Sequence, residues 1–255
     1  MKICQIPSSV GDGRSQQNLL SWLVNDSVAI DAGSLGILTP LDRQRLVRHV
    51  FLTHTHIDHI ATLPVFLDNV YSLDEHCPVI HGSSDTLNCL QRNIFNDQVW
   101  PDFVALSASA PSFVKMHEIR ASSPVQVEGL TITPIEVAHT VPTLSYLISD
   151  SNGTVAMIAD TSQPETVINS VRNLPDLRAV FLECSFPDEL QSLAEMSQHQ
   201  TPQMFARQIA QLPAHVEIFA THLKPACDKQ VQEQLEALND PRIRLSQPGI
   251  TYVFE

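Results

Sequence analysis

Val50-Phe51-Leu52-Thr53-His54-Thr55-His56-Ile57-Asp58-His59 is the stretch from which the rest of the chain is read. An apolar run, expected as a strand, ends in three imidazoles and a carboxylate within six residues. In an extended chain His54 and His56, two apart, point the same way and can hold one ion. Asp58 and His59 follow as the chain turns into a helix and can face a second ion alongside. Imidazole and carboxylate donors without cysteine suit zinc, manganese or iron, and ligand chemistry alone does not choose among them. A hexapeptide could also be a surface cluster, so its weight depends on partners downstream.

Three such partners stand at later strand ends. His139 closes the run Leu130-Thr131-Ile132-Thr133-Pro134-Ile135-Glu136-Val137-Ala138, Asp160 closes Val155-Ala156-Met157-Ile158-Ala159, and His222 follows Val216-Glu217-Ile218-Phe219-Ala220 and one Thr. Asp160, with two oxygens and a full charge, is suited to bridge two ions.

This series resembles the ligand set of the metallo-β-lactamase superfamily. Asp31-Ala32-Gly33, after Ser27-Val28-Ala29-Ile30, resembles its early Asp-x-Gly. Softer signatures resemble the class II 3',5'-cyclic nucleotide phosphodiesterases: Asn18-Leu19-Leu20-Ser21, Phe95-Asn96 before Trp100-Pro101-Asp102-Phe103, Leu182-Glu183-Cys184-Ser185-Phe186-Pro187, and Thr221-His222-Leu223-Lys224-Pro225. The likeness covers roughly residues 15 to 255. Ile57, Ala61 and Ala159 depart from the family's usual Leu, Gly and Gly. These changes bear on substrate identity rather than on the metal ligands.

The resemblance implies an α/β fold, a four-layer αββα sandwich, and one hydrolase domain over 1–255. It implies two divalent ions, zinc first with manganese or iron as alternatives. His54, His56 and His139 would hold one ion, Asp58, His59 and His222 the other, and Asp160 would bridge. Two such ions lower the pKa of a bridging water from about 15.7 toward 7 and so supply hydroxide at neutral pH. The expected reaction is hydrolysis of the phosphodiester of 3',5'-cyclic nucleotides, cAMP to 5'-AMP. Asp58 would orient the hydroxide, and Asp31 would hold a ligand imidazole or serve merely as a turn carboxylate. In related phosphodiesterases and tRNA 3'-end nucleases a His like His199 pairs with a Glu like Glu183 and delivers a proton to the leaving group. A broader phosphodiesterase or tRNA 3'-processing nuclease is the alternative, and an inert metal-binding scaffold the non-enzyme one.

Composition narrows the partners. The chain has 255 residues, 43% of them hydrophobic, enough to bury a full core. Against 28 acids stand 15 Lys and Arg, a net charge of −13, so a long nucleic acid is a poor substrate. A small anionic diester remains compatible, because two divalent ions reverse the local field. Lys224 could pair with its phosphate. Phe95, Trp100 and Phe103 could stack a purine, or build a helical subdomain or the contact of a homodimer. No run of 18 apolar residues could span a bilayer, and no secretory signal opens the chain. Five unpaired-looking cysteines (Cys4, Cys77, Cys89, Cys184, Cys227) suit the reducing cytoplasm. His49, His76, His81, His117 and His215 read as core or surface histidines.

Strands are expected near 17–23, 27–31, 49–53, 130–138, 144–149, 154–159, 179–184 and 215–220. Helices are expected over 41–48, 57–72, 163–173, 201–211 and 228–238, with Thr201 capping and Pro202 in the first turn.

Overall fold

The computed structural model describes residues 1–8, 19–72, 77–108 and 111–255. Six strands come first: β1 (Lys2–Gln5), β2 (Trp22–Val24), β3 (Val28–Ile30), β4 (His49–Phe51), β5 (Val79–Gly82) and β6 (Lys115–Glu118). Seven more follow: β7 (Val125–Val127), β8 (Leu130–Val137), β9 (Thr143–Asp150), β10 (Gly153–Met157), β11 (Leu177–Glu183), β12 (Glu217–Thr221) and β13 (Ile243–Leu245). The last strand, β14 (Thr251–Val253), returns to the first sheet, whose order is β14-β1-β2-β3-β4-β5-β6; the second runs β13-β12-β11-β10-β9-β8-β7. Each sheet is part parallel and part antiparallel. β3 to β6 run parallel, as do β10 to β13.

Side-chain alternation assigns the layers. Val28 and Ile30 of β3, Phe51 of β4, and Ala179 and Phe181 of β11 meet between the sheets with Trp22, Tyr146 and Phe219. Their neighbours face outward. Ala29, Val50 and Ile80 pack under α3 (Leu63–Val70) and α4 (Ser84–Asn93) on one side. Val180, Leu182, Ile218 and Ala220 pack under α6 (Glu165–Val171), α8 (Pro202–Ile209) and α9 (Asp228–Ala237) on the other. The other α-helices are α1 (Leu41–Leu46), α2 (Ile57–Ile60), α5 (Phe103–Leu106) and α7 (Gln191–Ser197). Both sheets are therefore covered on both faces, the arrangement that turns strands into continuous apolar runs. The architecture is an αββα sandwich.

Several local expectations need correction. The helix expected over 57–72 is broken into α2 and α3. Pro64 occupies the first turn of α3, and the Thr62 hydroxyl is bonded to the Gly36 N–H and the Ala32 carbonyl, so the chain restarts there. Thr201 does occupy the N-cap of α8, but its hydroxyl makes no capping bond. The strand expected near 17–23 is described only from Trp22 onward; residues 17 and 18, and His76, lie outside the described residues. β1, β5, β6, β7, β13 and β14 lie outside the expected strands; three or four residues carry little periodicity, and no site motif marks their ends as one marks those of β3 and β4.

His81 on β5 stacks on Phe51 with ring centroids 4.1 Å apart. One of its nitrogens lies 3.0 Å from His49 Nδ1, the other 2.9 Å from His117 Nδ1. Burial, then the neighbouring His49 and His117, lowers its pKa to about 3. The folded protein thus keeps His81 neutral, whereas the unfolded chain takes up a proton below about pH 6.5. The stability His81 contributes is present above that pH and is lost as pH falls toward 3. Urea titrations of metal-free wild type and His81→Asn should show a stability gap that shrinks from pH 7.5 to pH 5; a gap independent of pH would refute this.

Candidate metal centre and active site

β9 is antiparallel to both β8 and β10, so β8, β10, β11 and β12 all run in one direction. His139, Asp160, Glu183 and His222 all stand at the carboxyl ends of these strands. Asp31 and the His54 to His59 loop leave the carboxyl ends of β3 and β4 in the facing sheet. The polar groups named from the sequence therefore meet at one rim, where open α/β sheets place their ligands.

Five imidazoles enter with their orientations set by the protein. His54 Nδ1 lies 2.9 Å from the Thr53 hydroxyl, His59 Nδ1 2.7 Å from Asp31 Oδ2, and His139 Nδ1 3.2 Å from the Gln198 carbonyl. His222 Nδ1 lies 3.0 Å from the Ser185 hydroxyl and His56 Nε2 3.3 Å from the Thr140 hydroxyl. When each outer N–H donates to its oxygen, the opposite nitrogen faces the site and can offer a lone pair.

Those inner nitrogens crowd together. His56 Nδ1 is 3.0 Å from His54 Nε2 and 3.3 Å from His139 Nε2. Two acceptor nitrogens at that distance repel each other unless a cation lies between them. Donor atoms of His54, His56, His139 and Asp160 lie within 4.8 Å of one another, and so do those of Asp58, His59 and His222. Asp160 Oδ2 stands between the groups, 3.4 Å from both His59 Nε2 and His222 Nε2 and 4.0 Å from His54 Nε2. His59 Nε2 is buried with no hydrogen-bond partner. A buried atom without a partner and a convergent nitrogen and oxygen donor set both fit divalent cations.

The electrostatics agree. Burial, reinforced by His59, keeps His54 well below the ordinary imidazole pKa. Burial also lowers His56 and brings His139 to about 4. These rings are neutral at pH 7, as a metal ligand must be. For His59, burial is outweighed by Asp160 and Asp31, which raise its pKa; the two carboxylates draw in positive charge, whether a proton or a cation. Burial would raise Asp58, but His222, His59 and Lys224 beside it hold it below the usual carboxylate range.

Beside this set lies a second carboxylate–imidazole pair. Glu183 is buried and accepts from His199 Nδ1 at 2.8 Å, the Ser185 hydroxyl at 2.7 Å, and the N–H groups of Thr161 at 2.9 Å and Gln200 at 3.3 Å. Burial opposes charge on His199, but Glu183 outweighs it and raises the pKa. Donor atoms of Asp160, His199 and His222 also lie within 4.8 Å of one another. Lys224 Nζ is 3.6 Å from Asp58 Oδ2, and both line a cavity of about 160 Å³ with Leu19, Leu20, His222, Leu223 and Pro225.

Comparison with known proteins places this geometry. Residues 38–163 match the family model of the class-II cAMP phosphodiesterases. A probable 3',5'-cyclic-nucleotide phosphodiesterase of Yersinia pestis is 24% identical over 273 residues, covering 85% of this chain and 77% of the relative. The crystal structure of unliganded yeast PDE1 superposes with a TM-score of 0.78 at 18% identity, covering 100% of this chain and 99% of that one. The metallo-β-lactamase fold protein YhfI of Bacillus subtilis superposes at 0.74 with 17% identity over 98% of each chain. The chain has the metallo-β-lactamase fold and resembles the class-II cyclic-nucleotide phosphodiesterases.

In this metallo-β-lactamase-fold protein the aromatic residues do not join the site. Phe103, 3% exposed, stacks on Phe113 with centroids 4.4 Å apart, and Trp100 packs against the same helix-side core. The reason is local: Asp102 caps α5 through the Ala105 N–H, and Phe103, first in the helix, is turned inward toward Phe95. Of the soft signatures, Asn18 lies outside the described residues.

Two residues of the site were given no role from the sequence, and a third was quoted only as the Gly of the Asp-x-Gly resemblance. Thr53 bonds both the Asp31 carboxylate and His54, and Ser185 links Glu183 to His222. Their neighbours in sequence were the only signal. Gly33 is the third. A Cβ there would lie 1.9 Å from the Asp58 carbonyl and 2.7 Å from the Leu20 backbone, a contact essentially no side chain can accept. Gly33 also donates to the Leu20 carbonyl, while the Leu20 N–H donates to that of Asp58. Gly33→Ala should therefore push the Asp58–His59 loop away. Bound metal per chain after saturation with zinc, counted by inductively coupled plasma mass spectrometry, should fall by at least half; wild-type loading in a folded variant would contradict the close-packing account.

Proposed function

We propose that this chain hydrolyses the phosphodiester of 3',5'-cyclic nucleotides, cAMP to 5'-AMP first. The observation that carries the reading is the Glu183–His199 pair standing beside the ligand set, because an alkoxide leaving group needs a proton and a β-lactam-type site does not require such a donor. His54, His56 and His139 would hold one divalent ion and Asp58, His59 and His222 the other, with Asp160 between; zinc suits these donors first, manganese or iron next. When bound, two such ions supply a deprotonated water at neutral pH and positive charge against the phosphate oxygens.

The chain's own residues do the rest. Asp58, kept ionised by His222, His59 and Lys224, accepts a hydrogen bond from the attacking water and points it at phosphorus, opposite the leaving ribose oxygen. Lys224 gives a nonbridging oxygen a cationic partner. Glu183 fixes His199 by its Nδ1–H and favours the protonated ring, so Nε2–H is available to the departing oxygen. Asp31 keeps His59 in the tautomer that presents Nε2.

The reading takes the chain as one catalytic domain that works in the cytoplasm. All five cysteines are free, and among the described residues no helix is long and apolar enough to cross a membrane. A homodimer remains an expectation. A nuclease acting on a long RNA is disfavoured by the charge of −13.

Metal-quantified protein should convert 3',5'-cAMP to 5'-AMP, stop on chelation and recover with added metal. Turnover of bis-p-nitrophenyl phosphate alone would leave a metallohydrolase but remove the cyclic-nucleotide assignment. Asp58→Ala should lower turnover by roughly 10²-fold or more, since it removes a ligand and the water's positioning together. His199→Ala should slow 3',5'-cAMP by about 10²- to 10⁴-fold and bis-p-nitrophenyl phosphate far less, because p-nitrophenolate leaves without a proton. Equal losses on the two substrates would sink the general-acid assignment.

A further inference from the structure

A larger cavity, about 320 Å³, adjoins the first and shares His222 and Leu223 with it as walls. It opens where the carboxyl ends of β1, β12 and β13 meet, and is lined by Gln5, Ser246, Gln247, Leu245, Pro248 and Ile250 among others. Its size is at the small end of ligand pockets, which run from about 300 to 1,000 Å³.

The lining has a definite chemistry. Among the described residues no Lys or Arg lines it and Asp228 is the one charged wall residue, so these walls do not favour an anion. The phosphate-seeking group, Lys224, lies in the neighbouring cavity instead. Leu223, Leu245, Pro248 and Ile250 supply apolar walls. The Ser246 hydroxyl donates to the Gln5 carboxamide oxygen at 2.6 Å, so Gln5 offers a ligand its NH₂, and Ser246 offers its oxygen lone pairs. Gln247 adds an amide at the exposed rim, anchored through its backbone N–H to the Tyr252 hydroxyl at 2.8 Å. Donors and acceptors set among apolar walls, with no cation among the described lining residues, match a neutral planar heterocycle.

We propose that this pocket binds the nucleobase of the substrate, with Gln5, Ser246 and Gln247 as its specificity-determining residues, while the phosphodiester sits in the adjoining cleft of Asp58, His222 and Lys224. The inference rests on the cyclic-nucleotide reading given above. It accounts for a division of charge along the rim: the anionic half of the substrate meets Lys224, and the neutral half meets amides and a hydroxyl. A site built to hydrogen-bond a heterocycle discriminates against ligands that leave its polar groups unpaired.

Two variants outside the catalytic set test it. Ile250→Trp, at a position 43% exposed, would fill the pocket, and Gln247→Ala would remove the rim amide. For Ile250→Trp, KM for 3',5'-cAMP should rise about tenfold or more, and for Gln247→Ala severalfold, while kcat/KM on bis-p-nitrophenyl phosphate, which has no base, stays within about twofold of wild type. Calorimetric titration with adenosine should show saturable binding to wild type that weakens in both variants. Unchanged KM for 3',5'-cAMP in both variants would overturn the pocket assignment, as would parallel losses on the two substrates in Gln247→Ala. If wild type turns over bis-p-nitrophenyl phosphate but not 3',5'-cAMP, the cyclic-nucleotide reading fails by itself. The adenosine titration then decides the pocket: binding abolished by Ile250→Trp upholds it, and no binding to wild type removes it.

Discussion

A sheet covered by apolar packing on both faces can present polar chemistry only at its ends, and this constraint shapes the molecule. Val28–Ile30 and Gly153–Met157 are buried along their whole lengths, and Leu177–Glu183 at every position but Arg178. Any ionisable group within them would be desolvated without a partner, at a cost of several kcal/mol. Histidines and carboxylates therefore accumulate where strands stop. Because β8, β10, β11 and β12 share one direction, they stop on the same rim, and two sheets facing each other bring two such rims together. Concentrating six imidazoles and four carboxylates there is tolerable only if each finds an opposite charge or a hydrogen bond. The outer nitrogens of the imidazoles find oxygens of the protein, and the inner ones are left to a cation.

That logic explains what was legible in the sequence. His54, His56, Asp58, His59, His139, Asp160 and His222 each follow an apolar run, so strand ends could be counted and their polar residues named before any geometry was known. Glu183 and His199 were named by resemblance, and their contact at 2.8 Å is a long-range pairing that periodicity does not encode. The helix break at Ala61–Thr62 was hidden because Ile57 to Val70 is apolar enough to pass for one helix, whereas the Thr62 hydroxyl is engaged with Gly36 and Ala32, residues far back in the chain. Trp100 and Phe103 misled for the opposite reason. Aromatic residues carry the same hydrophobic signature in a core as in a pocket, and only the tertiary packing of Phe95, Phe103 and Phe113 distinguishes the two.

Two backbone positions show how tightly the rim is drawn. Asp31 and His222 both adopt left-handed conformations, φ 60° and 59°, which are uncommon for non-glycine residues. Each sits where a strand must turn sharply to aim a side chain back over the sheet end: Asp31 toward His59, His222 toward Asp58 and Asp160. Gly33 serves the same loop by yielding space that no side chain could, letting the Asp58 backbone lie against Leu20. Local backbone cost is accepted where orientation matters most, and the surrounding hydrogen bonds hold it in place.

The rim contains two carboxylate–imidazole pairs built alike, Asp31–His59 and Glu183–His199, and their surroundings separate their roles. His59 is 1% exposed, its Nε2 is 3.4 Å from Asp160, and it belongs to a group with Asp58 and His222. Its partner fixes a lone pair toward a place where positive charge must sit. His199 is 6% exposed and stacks on His222 with centroids 5.5 Å apart; its carboxylate is also held by Ser185, Thr161 and Gln200. That web holds Glu183 as the acceptor facing His199 Nδ1. On the proposed reading the same pairing would orient a metal ligand at His59 and poise a general acid at His199. A net charge of −13 does not exclude an anionic substrate under these conditions, because attraction depends on the rim's local field rather than on the distant surface.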